Sequence, residues 1–400
     1  MKRYLLSTTG LIFLLFWPIQ AQEIITHNEA GEREHSSIPI RLNTTSETGY
    51  LKQLTRRGFR LETQGLLIES LDSSNVYAEL NSNTAFNPAS VIKIATSFAA
   101  LSKFGPEYRF QTSILAVGPV NKKTRTLNGD LILLSTGDPV LNSMDVNRLV
   151  RDVIRSGITR VTGKLIITGK FTYGPSWTTD RAMKRLDQTF RRLGVRVSSA
   201  IRGEASAGGS QLTTHDSVSL RDILFYQNAH SINPTAERLG EALGGPNAIE
   251  EFLTKQIGVP QDEVSISHTS GLAYNRITPR GTVQLLRELV YWLNLQNMEP
   301  QDILPVAGID VGTLRRRFSS LEYRGGIIGK TGTLPGTDGG VSTLAGILYT
   351  RDRGPILFAI FNSKGSVTTY RRLQDDFLKK FIIECGGIPE VNASLHRLNN

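Results

Sequence analysis

Residues that build disulfide frameworks and metal sites are scarce in this sequence. Its 400 residues include one cysteine, Cys385, which cannot form a disulfide within the chain. The six histidines show no spacing that is typical of zinc ligands; they stand at positions 27, 35, 215, 230, 268 and 396. We therefore expect no metal site and no cysteine nucleophile.

Dense blocks of charge are also absent. The formal net charge is +10, and 39% of the residues are hydrophobic, which is typical of a globular protein. The lysines and arginines are scattered, and no zinc-finger or aromatic ribonucleoprotein motif accompanies them. The charge pattern therefore favours a solvated surface over nucleic-acid binding, with at most peripheral contact to an anionic membrane or envelope polymer.

A short apolar run stands close to the N-terminus. Lys2 and Arg3 precede the run Leu11–Trp17, and small and polar residues follow it, as in a signal peptide. The run is too short to span a bilayer comfortably, although an uncleaved anchor is the alternative. We predict a signal peptide at 1–21, a polar linker at 22–46, and export to the periplasm or cell envelope.

Hydrophobic periodicity divides the rest of the chain. Between about 110 and 215, short strand patterns alternate with a helical pattern, which indicates an inserted domain. The flanking parts, 47–109 and 216–385, then form one main domain, and 386–400 is a C-terminal tail. We predict strands on either side of a turn at 72–75, a buried helix from Ala89 to about 101, helical segments at 219–243, 278–294 and 368–384, and a hairpin across 342–362.

The first motif is Ser90-Val91-Ile92-Lys93. Positions i and i+3 share one face of a helix, so the hydroxyl and the amine can meet. A serine hydroxyl becomes a useful nucleophile when a base takes its proton, and a lysine serves as that base once burial or a nearby cation lowers its pKa. Alone, the motif fits a capping serine and a surface lysine equally well.

The second motif is Ser231-Ile232-Asn233. Its hydroxyl could relay a proton to a leaving amine, and its amide could orient the base and the substrate. The structural alternative is a helix N-cap followed by Pro234 at the first helical position.

The third motif is Lys330-Thr331-Gly332-Thr333. A glycine in a strand permits close approach of a substrate backbone, while the lysine and the two hydroxyls could bind a carboxylate. The alternative is a lysine before an ordinary turn at 335–336.

Together, and in this order, the three motifs resemble the set S-x-x-K, S-D-N and K-T-G of the penicillin-binding proteins and class A β-lactamases. Over about 60–385 the chain is most similar to the larger D-alanyl-D-alanine carboxypeptidase/endopeptidases. Further blocks carry that likeness, at 86–90, 129–131, 137–139, 270–272, 275–279, 304–308 and 312–314.

The resemblance implies the α/β (α+β) transpeptidase fold of this family, an antiparallel sheet flanked by helices with an inserted second domain. It implies peptidoglycan peptides ending in D-Ala-D-Ala as substrate, β-lactams as inhibitors, and no metal or organic cofactor. Ser90 would be the acylated nucleophile, Lys93 its base, and Ser231 the proton donor to the leaving D-alanine.

Further roles follow from the same likeness. Asn233 would hold the substrate amide, and the third motif (Lys330, Thr331, Gly332 and Thr333) would bind the terminal carboxylate. The backbone N–H groups of Ser90 and Thr333 would form the oxyanion hole.

The sequence departs from the family at three places. Ile232 replaces the usual aspartate of the second motif, and His268-Thr269 replace an Asp-Gly pair. The segment between the first two motifs is shorter than in three-domain members. A β-lactamase or esterase on the same fold, or a catalytically impaired binding module, therefore remains an alternative to a carboxypeptidase.

Overall fold

A computed structural model describes residues 40–42, 44–174, 178–204 and 208–389. The predicted signal peptide, most of the predicted linker and all but the start of the predicted tail lie outside these residues. None of the helices in these ranges is long and apolar enough to cross a membrane.

The strands, in chain order, are β1 (Ile40–Arg41), β2 (Gln64–Ser70), β3 (Asn75–Leu80), β4 (Gln111–Val117), β5 (Val120–Asn121), β6 (Thr126–Leu127), β7 (Asp130–Thr136), β8 (Arg160–Val161), β9 (Leu165–Lys170), β10 (Ala200–Arg202), β11 (Ser210–Asp216), β12 (Val264–Ser265), β13 (Arg276–Ile277), β14 (Ile327–Leu334), β15 (Val341–Thr350) and β16 (Gly354–Asn362). The α-helices are α1 (Thr45–Arg56), α2 (Lys93–Phe104), α3 (Ser143–Arg155), α4 (Thr179–Arg192), α5 (Leu220–His230), α6 (Asn233–Leu243), α7 (Pro246–Glu251), α8 (Pro279–Leu295) and α9 (Val367–Glu384).

The main sheet has the order β1-β3-β2-β16-β15-β14 within the described ranges, and all its pairs except β1 with β3 are antiparallel. Side chains alternate between its faces, as the pleat of a strand requires. On β16, Leu357 and Phe361 belong to one hydrophobic cluster, whereas Phe358 and Ile360 belong to the other. Helices α2 and α8 cover the first face, and α1 and α9 cover the second. The predicted fold class is confirmed.

Both predicted hairpins are present. Strands β2 and β3 pair across the turn at 71–74, and β15 pairs with β16 across the turn at 351–353. The predicted helix near 368–384 is α9.

A second sheet forms between residues 111 and 216, in the order β10-β9-β7-β4-β11. It is mixed, because β7 and β10 pair parallel with β9 while β4 pairs antiparallel with β7 and β11. Its apolar face packs on α3 and α4 in a separate hydrophobic cluster that includes Leu133, Leu149 and Leu186. This segment therefore has a core of its own, and its status as an inserted domain stays a prediction.

Helical structure was predicted at 219–243, with a helix N-cap at the second motif as one interpretation, and the structure divides this segment into α5 and α6. Ser231 ends α5 in the left-handed conformation, with φ +58°, and Ile232 is extended. Ile232 is also the N-cap of α6, so Asn233 is the first helical residue and not the cap. The break matters for the site, because it places the second motif in a bend between two helices.

Candidate active site

Ser90 lies in a 3₁₀ turn, Ala89–Ile92, that leads into α2. The preceding residue, Ala89, has φ +47°, an uncommon and costly conformation for a residue other than glycine. Its N–H donates to the Asn87 side chain at 3.0 Å. The strained turn places Ser90 just before the helix, and the α-helix begins at Lys93, four residues later than the predicted start at Ala89.

Lys93 begins α2 and is fully buried. Its ammonium nitrogen lies 2.8 Å from the Ser90 hydroxyl and 2.7 Å from the Asn233 side-chain oxygen. It also donates to the backbone carbonyl of Ser270. The first two motifs therefore meet at this amine, as the sequence analysis predicted.

Burial lowers the pKa of Lys93 to about 7, because the charged form loses its hydration. The negative charge of Glu237 acts in the opposite direction and raises this pKa. Near neutral pH, a large fraction of Lys93 is therefore an uncharged amine beside the serine hydroxyl. That is the protonation state that a base requires.

Ser231 and Lys330 form a second hydroxyl–amine pair. The Lys330 amine donates to the Ser231 hydroxyl at 2.9 Å and to the backbone carbonyl of Thr331 at 2.8 Å. Lys330 is fully buried, and burial together with the charge of Lys93 holds its pKa well below the ordinary value. Its hydrogen bond fixes the amine against the Ser231 hydroxyl, which fits an orienting role for Lys330 beside the predicted role as a carboxylate's positive partner.

Gly332 lies where β14 passes the turn that carries Ser90, Ala89–Ile92, and only glycine fits at this position. A β-carbon at this position would lie 2.6 Å from the Pro88 carbonyl oxygen and 2.1 Å from the Thr343 hydroxyl. Real β-carbons do not approach other atoms so closely, so any larger residue would push β14 away from the turn. Close packing of strand on turn, and not only access for substrate, explains this glycine.

The edge of β14 that faces away from β15 carries backbone amides, and residues 305–307 pair with its first half. The Gly329 N–H points away from β15 and donates to the Pro305 carbonyl. Amides of a strand alternate in direction, so the N–H of Thr333, four residues on, also points away from β15. This orientation fits the predicted oxyanion-hole role of Thr333.

The hydroxyls of the third motif have different surroundings. Thr331 is buried, and its hydroxyl donates to the Thr313 hydroxyl at 2.8 Å. Thr333 is half-buried, and its hydroxyl accepts a hydrogen bond from the Arg371 guanidinium at 2.6 Å. Thr333 is thus better placed than Thr331 to contact a bound molecule.

A model of the D-Ala-D-Ala carboxypeptidase 3 (S13) family matches residues 51–180 and 176–379. The chain belongs to this family.

Two curated family relatives share short segments with the chain. One is D-alanyl-D-alanine carboxypeptidase DacB of Haemophilus influenzae, 27% identical over 103 residues, which is 26% of this chain and 21% of the relative. The other is the D-alanyl-D-alanine carboxypeptidase of Actinomadura sp. strain R39, 33% identical over 78 residues, which is 20% of this chain and 14% of the relative. The matched segments therefore span under a quarter of each relative's length.

Solved structures of the same fold align over most of the chain. Penicillin binding protein 4 of H. influenzae aligns with a TM-score of 0.67 and 19% identity, covering 80% of this chain and 96% of that one. A predatory peptidoglycan endopeptidase of Bdellovibrio bacteriovorus aligns with a TM-score of 0.66 and 19% identity, covering 82% and 94%. At these identities, the likeness establishes the fold.

Glu237 is a member of the site that the sequence analysis missed. It lies one turn beyond Asn233 on α6, and its carboxylate accepts from the Ser270 N–H at 3.2 Å and the Thr269 hydroxyl at 3.1 Å. Through this contact it fixes the segment whose carbonyl, that of Ser270, holds Lys93. The i, i+4 spacing from Asn233 was the available signal.

The unusual pair His268-Thr269 packs around the same carboxylate. The His268 imidazole lies 3.5 Å from the Glu237 carboxylate, and the Thr269 hydroxyl also donates to the Ala236 carbonyl. A β-carbon at Gly240 would lie 2.2 Å from that hydroxyl. Gly240 thus provides the space that the Thr269 side chain occupies.

We predict that Glu237→Gln shifts the acidic limb of the kcat/KM profile to lower pH. The amide keeps the size and an acceptor oxygen of the side chain but removes the charge that raises the pKa of Lys93. The pH dependence of acylation measures the shift. Glu241→Gln on the same helix is the matched control, since Glu241 is exposed and is not among the charges that shift the pKa of Lys93. An unchanged limb in Glu237→Gln would contradict the electrostatic role.

Proposed function

We propose that the chain is a serine-type D-alanyl-D-alanine carboxypeptidase/endopeptidase that acts on peptidoglycan stem peptides and is acylated by β-lactams. One observation carries the proposal: a buried lysine with a pKa of about 7 lies 2.8 Å from the hydroxyl of Ser90. A hydroxyl beside an unprotonated amine is an activated nucleophile, and acyl transfer is the chemistry that such a pair performs.

In the proposed acylation step, the Ser90 oxygen attacks the carbonyl carbon of the scissile peptide bond while Lys93 takes the hydroxyl proton. The negative oxygen that develops would be held by the N–H groups of Ser90 and Thr333. Ser231, oriented by Lys330, would then deliver a proton to the nitrogen of the departing D-alanine. Asn233 bonds to Lys93 and would also position the substrate amide.

In the deacylation step, water attacks the Ser90 ester. The same lysine can accept the proton of that water and return one to the serine oxygen, because both steps pass through similar tetrahedral intermediates. No step needs a group beyond these side chains and backbone amides. In the described ranges, no cluster of three or more histidine, cysteine, aspartate or glutamate residues is arranged to hold a metal ion.

The domain arrangement and location are also proposals. We propose that residues 110–215 form an inserted domain in a catalytic domain made of 47–109 and 216–385. Its separate hydrophobic cluster supports that division. The N-terminal signal pattern supports export to the periplasm or cell envelope, where peptidoglycan is found.

Intact-mass spectrometry after mixing with a β-lactam tests the function, together with D-alanine release from a peptide that ends in D-Ala-D-Ala. We expect a stable one-to-one adduct that maps to Ser90, and D-alanine release that the β-lactam inhibits. Rapid β-lactam hydrolysis without a lasting adduct would instead identify a β-lactamase. If the protein formed no adduct and released no D-alanine, it would be a binding module without turnover.

A further inference from the structure

Asp338 lies in the loop between β14 and β15, outside the three motifs. Its backbone has φ +48°, a left-handed conformation that aspartate adopts more readily than most residues. The Asp338 carbonyl accepts a hydrogen bond from the Lys364 N–H at 3.2 Å, and the Gly340 N–H donates back to the Thr337 carbonyl at 3.0 Å. These contacts fix the backbone from which the Asp338 carboxylate projects.

The Asp338 carboxylate contacts two side chains at once. Its two oxygens each accept from the Arg276 guanidinium at 3.1 Å, and one of them also accepts from the Asn87 amide at 2.9 Å. A bidentate pair of this kind fixes orientation as well as distance. The neighbouring residues Phe86 and Ile277 exchange two backbone hydrogen bonds of 3.0 Å. Asp338 therefore joins the segment that precedes the nucleophile to β13.

The side chain of Asn87 extends this connection to the nucleophile. Asn87 is buried, and its amide oxygen accepts from the Ala89 N–H at 3.0 Å. Its amide nitrogen donates to Asp338 and, at 2.8 Å, to the Ala273 carbonyl. The amide has donors on one side and an acceptor on the other, so the partners of the nitrogen determine where the oxygen points. Loss of the Asp338 carboxylate would therefore loosen the group that holds Ala89.

Ala89 is the strained residue that directly precedes Ser90. Its φ of +47° costs free energy, so the contacts around it must hold it in this conformation. A β-carbon on Gly271 would lie 2.0 Å from the Ala89 carbonyl oxygen, and one on Gly332 would lie 2.9 Å from the Ala89 β-carbon. Packing thus confines the turn from two sides. If Ala89 relaxed, the hydroxyl and the N–H of Ser90 would both shift.

We infer that Asp338 is a positioning residue for acylation, which acts through Asn87 to hold the strained turn that presents the Ser90 hydroxyl. The inference rests on the proposed function and adds to it a residue of the β14–β15 loop. Small displacements matter at such a site, because a misplacement of about 1 Å can cost about 100-fold in rate.

The test separates noncovalent binding of a β-lactam from the acylation rate constant, by stopped-flow measurements over a range of β-lactam concentrations. For Asp338→Ala, we expect the acylation rate constant to fall about 10- to 100-fold, since Asn87 keeps its other two hydrogen bonds. The dissociation constant of the noncovalent complex should change little. Asp338→Asn keeps one acceptor oxygen and should lie between the wild type and Asp338→Ala.

The pH profile distinguishes this role from an electrostatic one. Asp338 is not among the charges that shift the pKa of Lys93. The acidic limb should therefore stay near pH 7 in both Asp338 variants, although the plateau falls. A shift of that limb would overturn the positioning role.

A double-mutant cycle tests the path through Asn87. If Asp338 acts through this side chain, Asp338→Ala should add little to the loss that Asn87→Ala causes alone. Losses that simply add would overturn the inference. A change confined to the dissociation constant, with the acylation rate constant unaltered, would overturn it as well.

Asp187→Asn is the matched control for loss of a partly buried carboxylate from an ion pair. The Asp187 side chain is 23% exposed, against 21% for Asp338, and it pairs with Arg191 on α4. We expect the wild-type acylation rate constant in this control. Equal losses in Asp187→Asn and Asp338→Asn would assign the effect to general stability and overturn the inference.

Thermal midpoints show whether each variant folds, and Asp338→Asn carries the test if Asp338→Ala does not fold. A wild type that forms no adduct and releases no D-alanine would refute the proposed function, and this inference with it. A wild type that is acylated no faster than the Asp338 variants would refute only the role of Asp338.

Discussion

Replacing Ser90 by alanine should abolish the β-lactam adduct and reduce D-alanine release by at least about 10⁴-fold. The substitution removes the only atom of this side chain that can form the acyl bond, and loss of a nucleophilic serine typically costs this much or more. Lys93, Asn233 and the Ser270 carbonyl remain in place, so binding without acylation is the expected residual property.

Intact-mass spectrometry and a D-alanine release assay measure the two effects. Ser102→Ala, at the half-buried serine of α2, is the control, and it should acylate at the wild-type rate. Equal thermal midpoints for the two variants would show that Ser90→Ala still folds. A normal adduct yield in Ser90→Ala would assign the nucleophile to another residue.

The sequence predicted those parts of the fold that depend on local patterns. Apolar patterns and turn signals identified two hairpins of the main sheet, β2 with β3 and β15 with β16, and helical patterns located α2, α8 and α9. The helix N-cap considered at the second motif indicated a helix start there, but the left-handed conformation in which Ser231 ends α5 carries no pattern of its own. The three motifs also converge as expected, since Lys93 contacts Ser90 and Asn233, and Lys330 contacts Ser231.

The contributions that the sequence could not predict come from tertiary contacts. The carbonyl of Ser270 is a backbone group that every residue has, so no residue type marks it as a partner of Lys93. Arg371 lies 38 residues from Thr333 and looks like any surface arginine until α9 packs on the sheet. The pKa of Lys93 likewise depends on burial, which periodicity indicates only for a helix face and not for one amine.

The pKa of about 7 for Lys93 has a direct kinetic consequence. The uncharged amine is the active form, and its fraction falls about tenfold for each pH unit below the pKa. The kcat/KM for acylation should therefore rise with pH and level off above neutrality. If the base were an ordinary lysine with a pKa near 10.4, kcat/KM would still be rising at pH 9.

Lys93→Met should reduce the acylation rate by about 10²- to 10⁴-fold, the usual contribution of a general base, and should remove the acidic limb near pH 7. Methionine is unbranched like lysine and fills much of the buried volume, but it cannot take a proton. Three acceptors, on Ser90, Asn233 and Ser270, lose a donor, so some loss of stability accompanies the kinetic effect.

Lys103→Met on the same helix separates the two effects, because Lys103 is exposed and contacts only the Ala242 carbonyl among the hydrogen bonds that the structure records for it. This control should keep both the rate and the pH profile of the wild type. Stopped-flow acylation with a chromogenic β-lactam between pH 5 and 9 provides the measurement. If Lys93→Met kept the limb near pH 7, another group would have to be the base. Burial lowers the pKa of Lys93 and the charge of Glu237 raises it. The pH at which the limb falls therefore also measures how far water is excluded from Lys93.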